Sequence, residues 1–117
     1  MKAELKLEAE HTNLFGTLAG GMACTIADMM TAFAVMTEGK DDKTRIIGGV
    51  SIKLDVSFMS PAKIGETIVI DCRTLRAGKT IQFINMDIFE KESGRLVCRG
   101  EHIHKSVMHG NIQHSIM

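Results

Sequence analysis

The first ten residues alternate. Ala3, Leu5, Leu7 and Ala9 fall between Lys2, Glu4, Lys6, Glu8 and Glu10, and a period of two predicts a strand with one wet face. His11 to Leu18 reads as a connection, with Asn13, Gly16 and Thr17 as turn residues. After Gly20-Gly21 the pattern changes. From Met22 to Met36 nearly every position is apolar, and the Ala and Met content over that length predicts a helix. Apolar residues all round predict burial on most sides. Thr25, Asp28 and Thr31 interrupt it three residues apart, as one narrow polar stripe. A carboxylate in the middle of a buried helix is costly unless something satisfies or uses it. The helix is expected to stop near Glu38-Gly39, before a charged loop over Lys40 to Arg45.

The period then returns to two. Val50, Ile52, Leu54, Val56 and Phe58 alternate with Ser51, Lys53, Asp55 and Ser57, so Ser51 is expected on the polar face. Pro61, the only proline, ends this strand. Strands follow at about Thr67 to Leu75, Thr80 to Phe89 and Arg95 to Lys105, with turns at Arg76-Ala77-Gly78-Lys79 and Glu92-Ser93-Gly94. The order is strand, long helix, four antiparallel strands. The fold class expected is α+β: a curved antiparallel sheet wrapped around one central helix, in a single domain over residues 1–105. Ser106 to Met117 shows no periodicity and reads as a loose tail. One helix cannot cover a sheet's faces and edges, so pairing between copies is expected.

Composition narrows the partners. Fourteen basic and fourteen acidic residues cancel, and there is no Trp or Tyr and only five Phe. Neither a nucleic-acid surface nor an anionic-membrane binder fits that balance, and no apolar run reaches membrane-spanning length. Cys24, Cys72 and Cys98 are too few and too widely spaced for a disulfide framework or a zinc signature, and read as reduced thiols in a reducing compartment. His102 and His104 share one strand face, but the sequence places no third ligand, so no metal site is expected.

Several strings, in order, carry a resemblance: His11-Thr12-Asn13, Gly16-Thr17-Leu18-Ala19-Gly20-Gly21-Met22, Ile26-Ala27-Asp28, Gly49-Val50-Ser51, Phe58-Met59-Ser60-Pro61-Ala62-Lys63-Ile64-Gly65-Glu66 and Gly78-Lys79-Thr80. Together, over roughly Glu4 to Lys105, they resemble the PaaI-like branch of the hotdog-fold acyl-CoA thioesterases. Two features depart from the family. Its loop reads His-Gly-Gly where Ala19-Gly20-Gly21 stands here, and its members carry a helix and a strand ahead of the region matching Met1.

Thioester hydrolysis needs donors for the developing oxyanion, a base or nucleophile, and a dry slot for the acyl chain. Helix N-terminal amides are unpaired and lie at the positive end of the dipole. Gly20 and Gly21 stand there, and read either as a turn into the helix or as donors; the resemblance implies Gly20 as the main donor. Asp28, among Met and Ala, reads as a buried structural carboxylate or as a base made stronger by desolvation. The resemblance implies that it does the chemistry, facing the donor loop of a neighbouring subunit. It also implies that Asn13 helps bind water or the carbonyl and that Ser51 orients water. Coenzyme A would be bound through Phe58, Met59, Ser60, Pro61, Ala62 and Lys63, through Arg76, Ala77, Gly78, Lys79, Thr80 and Ile81, and through Lys105. Read from the residues alone, Lys63, Arg76, Lys79 and Lys105 are surface cations at turns or strand ends. Met29, Met30 and Phe33 are core residues that also suit an adaptable acyl slot.

The activity implied is hydrolysis of medium- or long-chain fatty acyl-CoA by a homodimer or homotetramer, cytoplasmic or mitochondrial, with no metal or redox cofactor. The alternative is a catalytically weakened acyl-CoA-binding or regulatory protein, which Ala19 favours. A hydratase wants a His base beside an acid, and no His follows His11 near the helix start.

Overall fold

The computed structural model describes residues 1–36, 46–77 and 80–108. Its elements are β1 (Lys2–Lys6), a 3-10 turn (Ala9–His11), α1 (Gly20–Met36), β2 (Ile46–Phe58), β3 (Thr67–Ala77), β4 (Ile81–Glu90) and β5 (Leu96–Met108). The strands form one antiparallel sheet in the order β1-β3-β4-β5-β2. α1 lies across it and packs against β2, β3, β4 and β5. This is the α+β architecture that the residue pattern predicts.

β4 shows why the layers hold. Gln82, Ile84, Met86, Ile88 and Glu90 are buried, while the residues between them are only partly buried, the period expected of a strand with one face on a core. From α1 the core receives Ala23, Ile26, Ala27 and Ala34. The three alanines let the helix sit close to the sheet. Cys72 and Cys98 are buried in the same core, which pushes each thiol up to about 11 and keeps it protonated at neutral pH.

Four expectations are corrected. α1 is not buried on most sides, because Met29 and Phe33 are 52% and 46% exposed. β1 ends at Lys6, and Ala9 is exposed in the 3-10 turn rather than on the strand's apolar face. β5 continues to Met108, so Ser106–Met108 belongs to the strand and not to a tail.

The fourth correction concerns β2. Val50 and Ile52 are 53% and 56% exposed, whereas Leu54 and Val56 pack on the core. A register shift lies between Ser51, opposite His104, and Lys53, opposite Ile103. One extra residue there flips the alternation. It turns Ser51 inward, onto the same side as Leu54. The charged loop expected over Lys40 to Arg45, residues 78–79 of the expected hairpin turn and 109–117 lie outside the described residues.

Candidate active site

The loop between β1 and α1 is strapped at both ends. The Asn13 amide donates to the Thr17 carbonyl (2.9 Å), the Leu18 amide to Ala62 (2.7 Å), and the Ile64 amide to Gly16 (2.9 Å). Gly16 itself adopts φ 72°, a conformation suited to glycine. Asn13 Oδ1 accepts from the Phe15 amide (2.9 Å), the Thr17 amide (3.3 Å) and the Thr17 hydroxyl (3.1 Å). That fixes the side chain with its oxygen inward, so its NH2 group is the part left to meet an acceptor such as a carbonyl.

α1 begins at Gly20 with no side-chain cap, since Ala19 has none to offer. The Ala23 amide makes the first bond back, to Ala19 at 3.0 Å. The amides of Gly20, Gly21 and Met22 precede it and have no acceptor within the helix. A Cβ added to Gly20 would lie 3.6 Å from the Phe58 ring, an ordinary contact, and one on Gly21 would meet nothing within 4 Å. Beside Phe58 lies a groove of about 320 Å³ lined by Leu18, Phe58, Met59, Ser60, Pro61, Ala62 and Val97. The structure thus brings Asn13, Gly20 and the segment Phe58 to Lys63 into one neighbourhood.

A second cluster lies further along α1. The polar stripe steps back by roughly 60° at each three-residue interval, because a turn takes about 3.6 residues. Thr25 therefore faces solvent and bonds the Gly21 carbonyl (2.9 Å), Asp28 is on the flank, and Thr31 is swung into the core at 1% exposure. Asp28 is not buried as the sequence suggested: its side chain is 58% exposed. Asp28 Oδ1 lies 3.3 Å from Ser51 Oγ, and Ser51 Oγ lies 2.7 Å from Nε2 of His102. His102 is fully buried, with Nδ1 2.5 Å from Thr31 Oγ1 and Nε2 4.0 Å from Asp28. Burial holds the His102 imidazole below its usual pKa, and Asp28 offsets that only in part. His104 packs edge-on against it at 5.2 Å and is lowered by burial and by His102.

His102 is the residue that the sequence reading missed. A histidine at i, i+2 to another was weighed only as a metal ligand. Its contact with Ser51 depends on the β2 bulge, which strict alternation hides. Among the described residues no group of three or more His, Cys, Asp or Glu is placed to hold a metal ion.

The expected coenzyme-binding residues do not all meet. Phe58 pairs with Cys98, whereas Lys105 pairs with Val50 and Ile81 at the other end of β5. Cys98 and Lys105 are roughly 23 Å apart at about 3.3 Å of rise per residue. Arg76 and Ala77 join the Lys105 end, because Ala77 pairs with Gln82. Arg76, Thr80 and Lys105 are exposed, and Gly78 and Lys79 lie outside the described residues. The chain therefore carries two separate groups, one around Gly20 and Phe58, the other around Asp28, Ser51 and Lys105.

The thioesterase superfamily profile matches residues 15–98, most of the chain. The chain belongs to the thioesterase superfamily. Acyl-coenzyme A thioesterase 13 of Mus musculus is 43% identical over 100 residues, 85% of this chain and 67% of that protein. The crystal structure of zebra fish thioesterase superfamily member 2 superposes with a TM-score of 0.80 at 37% identity, over 90% of this chain and 72% of that one. A hypothetical thioesterase from Streptococcus pneumoniae TIGR4, solved with coenzyme A, shares the fold (TM-score 0.81, 21% identity, 92% and 78% covered). The chain is a thioester hydrolase of the hotdog fold.

Proposed function

We propose that this thioesterase hydrolyses fatty acyl-coenzyme A to free fatty acid and coenzyme A, at sites formed between two copies of the chain. The observation that carries the reading is Asp28 held beside Ser51 on an exposed flank of α1, the helix that also exposes Met29 and Phe33. Geometry supports a shared site. Gly20 and Asp28 of one protomer are separated by roughly 12 Å along the axis at about 1.5 Å per residue. A reacting carbonyl needs its donor and its nucleophile each within about 3–3.5 Å. No single protomer meets that demand with these two residues. β2 is an edge strand carrying exposed Val50 and Ile52, and Leu14 and Phe15 stand almost fully exposed at the tip of the donor loop. Exposed apolar groups on an open edge favour a second copy, as a dimer or a dimer of dimers.

In this reading the thioester oxygen lies against the Gly20 amide and the Asn13 NH2 group of one copy. Asp28 of the other copy takes a proton from a water that Ser51 helps hold. The hydroxide adds to the carbonyl carbon, the Gly20 amide stabilises the oxyanion, and the C–S bond breaks to release coenzyme A as thiolate. The groove beside Phe58 and the cations Lys63, Arg76 and Lys105 serve the coenzyme, and Met29 and Phe33 line the acyl slot. A second reading, an acyl-coenzyme A binder with little turnover, is favoured by the methyl of Ala19 where the family has an imidazole.

Purified protein incubated with palmitoyl-coenzyme A and a thiol reagent tests the choice. Thiol release that is abolished by Asp28→Ala supports hydrolysis. Tight binding without thiol release, unchanged by Asp28→Ala, supports the binder.

A further inference from the structure

The contacts around His102 fix which way each proton points. Thr31 Oγ1 lies 2.6 Å from the Ala27 carbonyl, and a carbonyl only accepts, so the hydroxyl proton is spent there. Toward His102 Nδ1, Thr31 must therefore accept, and Nδ1 carries the ring's proton. A neutral imidazole then presents Nε2 as an acceptor, and the partner available at 2.7 Å is the Ser51 hydroxyl. Ser51 has one proton. Asp28 Oδ1 at 3.3 Å and His102 Nε2 at 2.7 Å can each accept it, and the shorter contact favours His102; Ser51 Oγ then faces Asp28 Oδ1 as one acceptor before another. Two facing acceptors call for a donor with two protons, which is what a water molecule is.

We propose that His102 is a positioning residue: Thr31 sets its tautomer, and the tautomer turns the Ser51 hydroxyl away from Asp28, so that Ser51 and the carboxylate together accept the two protons of the attacking water. This rests on the hydrolytic reading above. In the opposite state, with a proton on Nε2, His102 donates to Ser51 and the Ser51 proton points at Asp28. The carboxylate is then quenched by its neighbour and the water loses one of its acceptors. The Thr31 contact favours the productive tautomer, and burial keeps the ring neutral. It is fully buried, with Thr31 and Asp28 from α1, Ser51 and Leu54 from β2, Ile84 from β4 and His104 from its own strand around it. Asp28 is the one anion among those groups, 4.0 Å away, and its carboxylate is mostly in solvent.

The test has a spectroscopic arm and a kinetic arm, on the full chain in its native assembly. In protein labelled with 15N-histidine, long-range proton–nitrogen correlation at neutral pH reports which ring nitrogen is protonated, with the His102 signals assigned by their loss in His102→Gln. The expected result is a protonated Nδ1 and a bare Nε2. An Nε2-protonated or doubly protonated His102 overturns the proposal, whether or not the protein turns over acyl-coenzyme A. Thr31→Val keeps the shape and removes the acceptor. It is expected to move the proton to Nε2 and to lower kcat roughly 10- to 100-fold with KM unchanged, and Thr31→Ser is expected to restore both. Full kcat in Thr31→Val with the tautomer shifted overturns the role of the tautomer while leaving Asp28 as base. A native chain that releases no thiol defeats the proposed function instead, and the nitrogen spectrum still decides the tautomer.

Discussion

At the start of α1 the groups on offer are backbone amides on an exposed loop. Two turns later they are side chains whose anchors are buried. The first cluster is built locally: Asn13 is pinned by Phe15 and Thr17, residues within four positions of it. The second is built from distant parts of the chain, Asp28 and Thr31 on α1, Ser51 on β2 and His102 on β5. Backbone donors need only a helix end with nothing in front of it. A base needs its neighbours' protons arranged as well, and that requires a dry, fixed environment. In the proposed mechanism each cluster is half of what thioester hydrolysis demands, and α1 keeps the two halves of one chain roughly 12 Å apart at about 1.5 Å per residue.

Substitutions at the two clusters sharpen this contrast. The largest effect is expected at Asp28. Asp28→Asn should lower kcat on palmitoyl-coenzyme A by about 10³-fold, and because the side chain is 58% exposed the thermal midpoint should stay within a degree or two of the native one. At the donor end, Gly20→Pro deletes the amide proton while proline suits the first helical position. Turnover should drop about 10²-fold, the value of one oxyanion donor, with far-UV circular dichroism unchanged. Retained turnover would make Gly20 a simple turn residue. Ala19→His supplies the imidazole that the family resemblance implies at this position, and should raise kcat by roughly 10-fold; no gain would make position 19 irrelevant here.

The smallest effect is on stability. His102 and His104 both have folded pKa values below the ordinary value, chiefly through burial. The unfolded chain therefore binds protons that the folded chain refuses, and stability is lost as pH falls below about 6.5. Each histidine contributes at most about 1.4 kcal/mol per pH unit in that window. Urea midpoints at pH 7.5 and 5.5 should differ in that direction, and less so in His104→Gln.

The difference between the clusters also decides what could be read in advance. Alternation and the long apolar run located the helix, the strands and the antiparallel order, because those patterns are local. Gly20 and Asn13 were found as helix-start and turn residues for the same reason. Ser51 was placed on the wrong face, since the bulge after it leaves no mark in a strict two-residue pattern. Asp28 was taken as buried because it sits among Met and Ala in a long apolar run; its position on the flank follows only from how α1 is rotated on the sheet. His102 was legible as a strand residue and not as a partner of Ser51, because β2–β5 register is a tertiary fact.

Subunit complementation tests the shared site most directly. Asp28→Asn and Gly20→Pro protomers are unfolded together and refolded as a mixture. If the donor comes from one copy and the carboxylate from its neighbour, mixed dimers carry one intact site, and random pairing returns about a quarter of native activity. Activity no greater than the sum of the two inactive variants refolded separately would contradict the account.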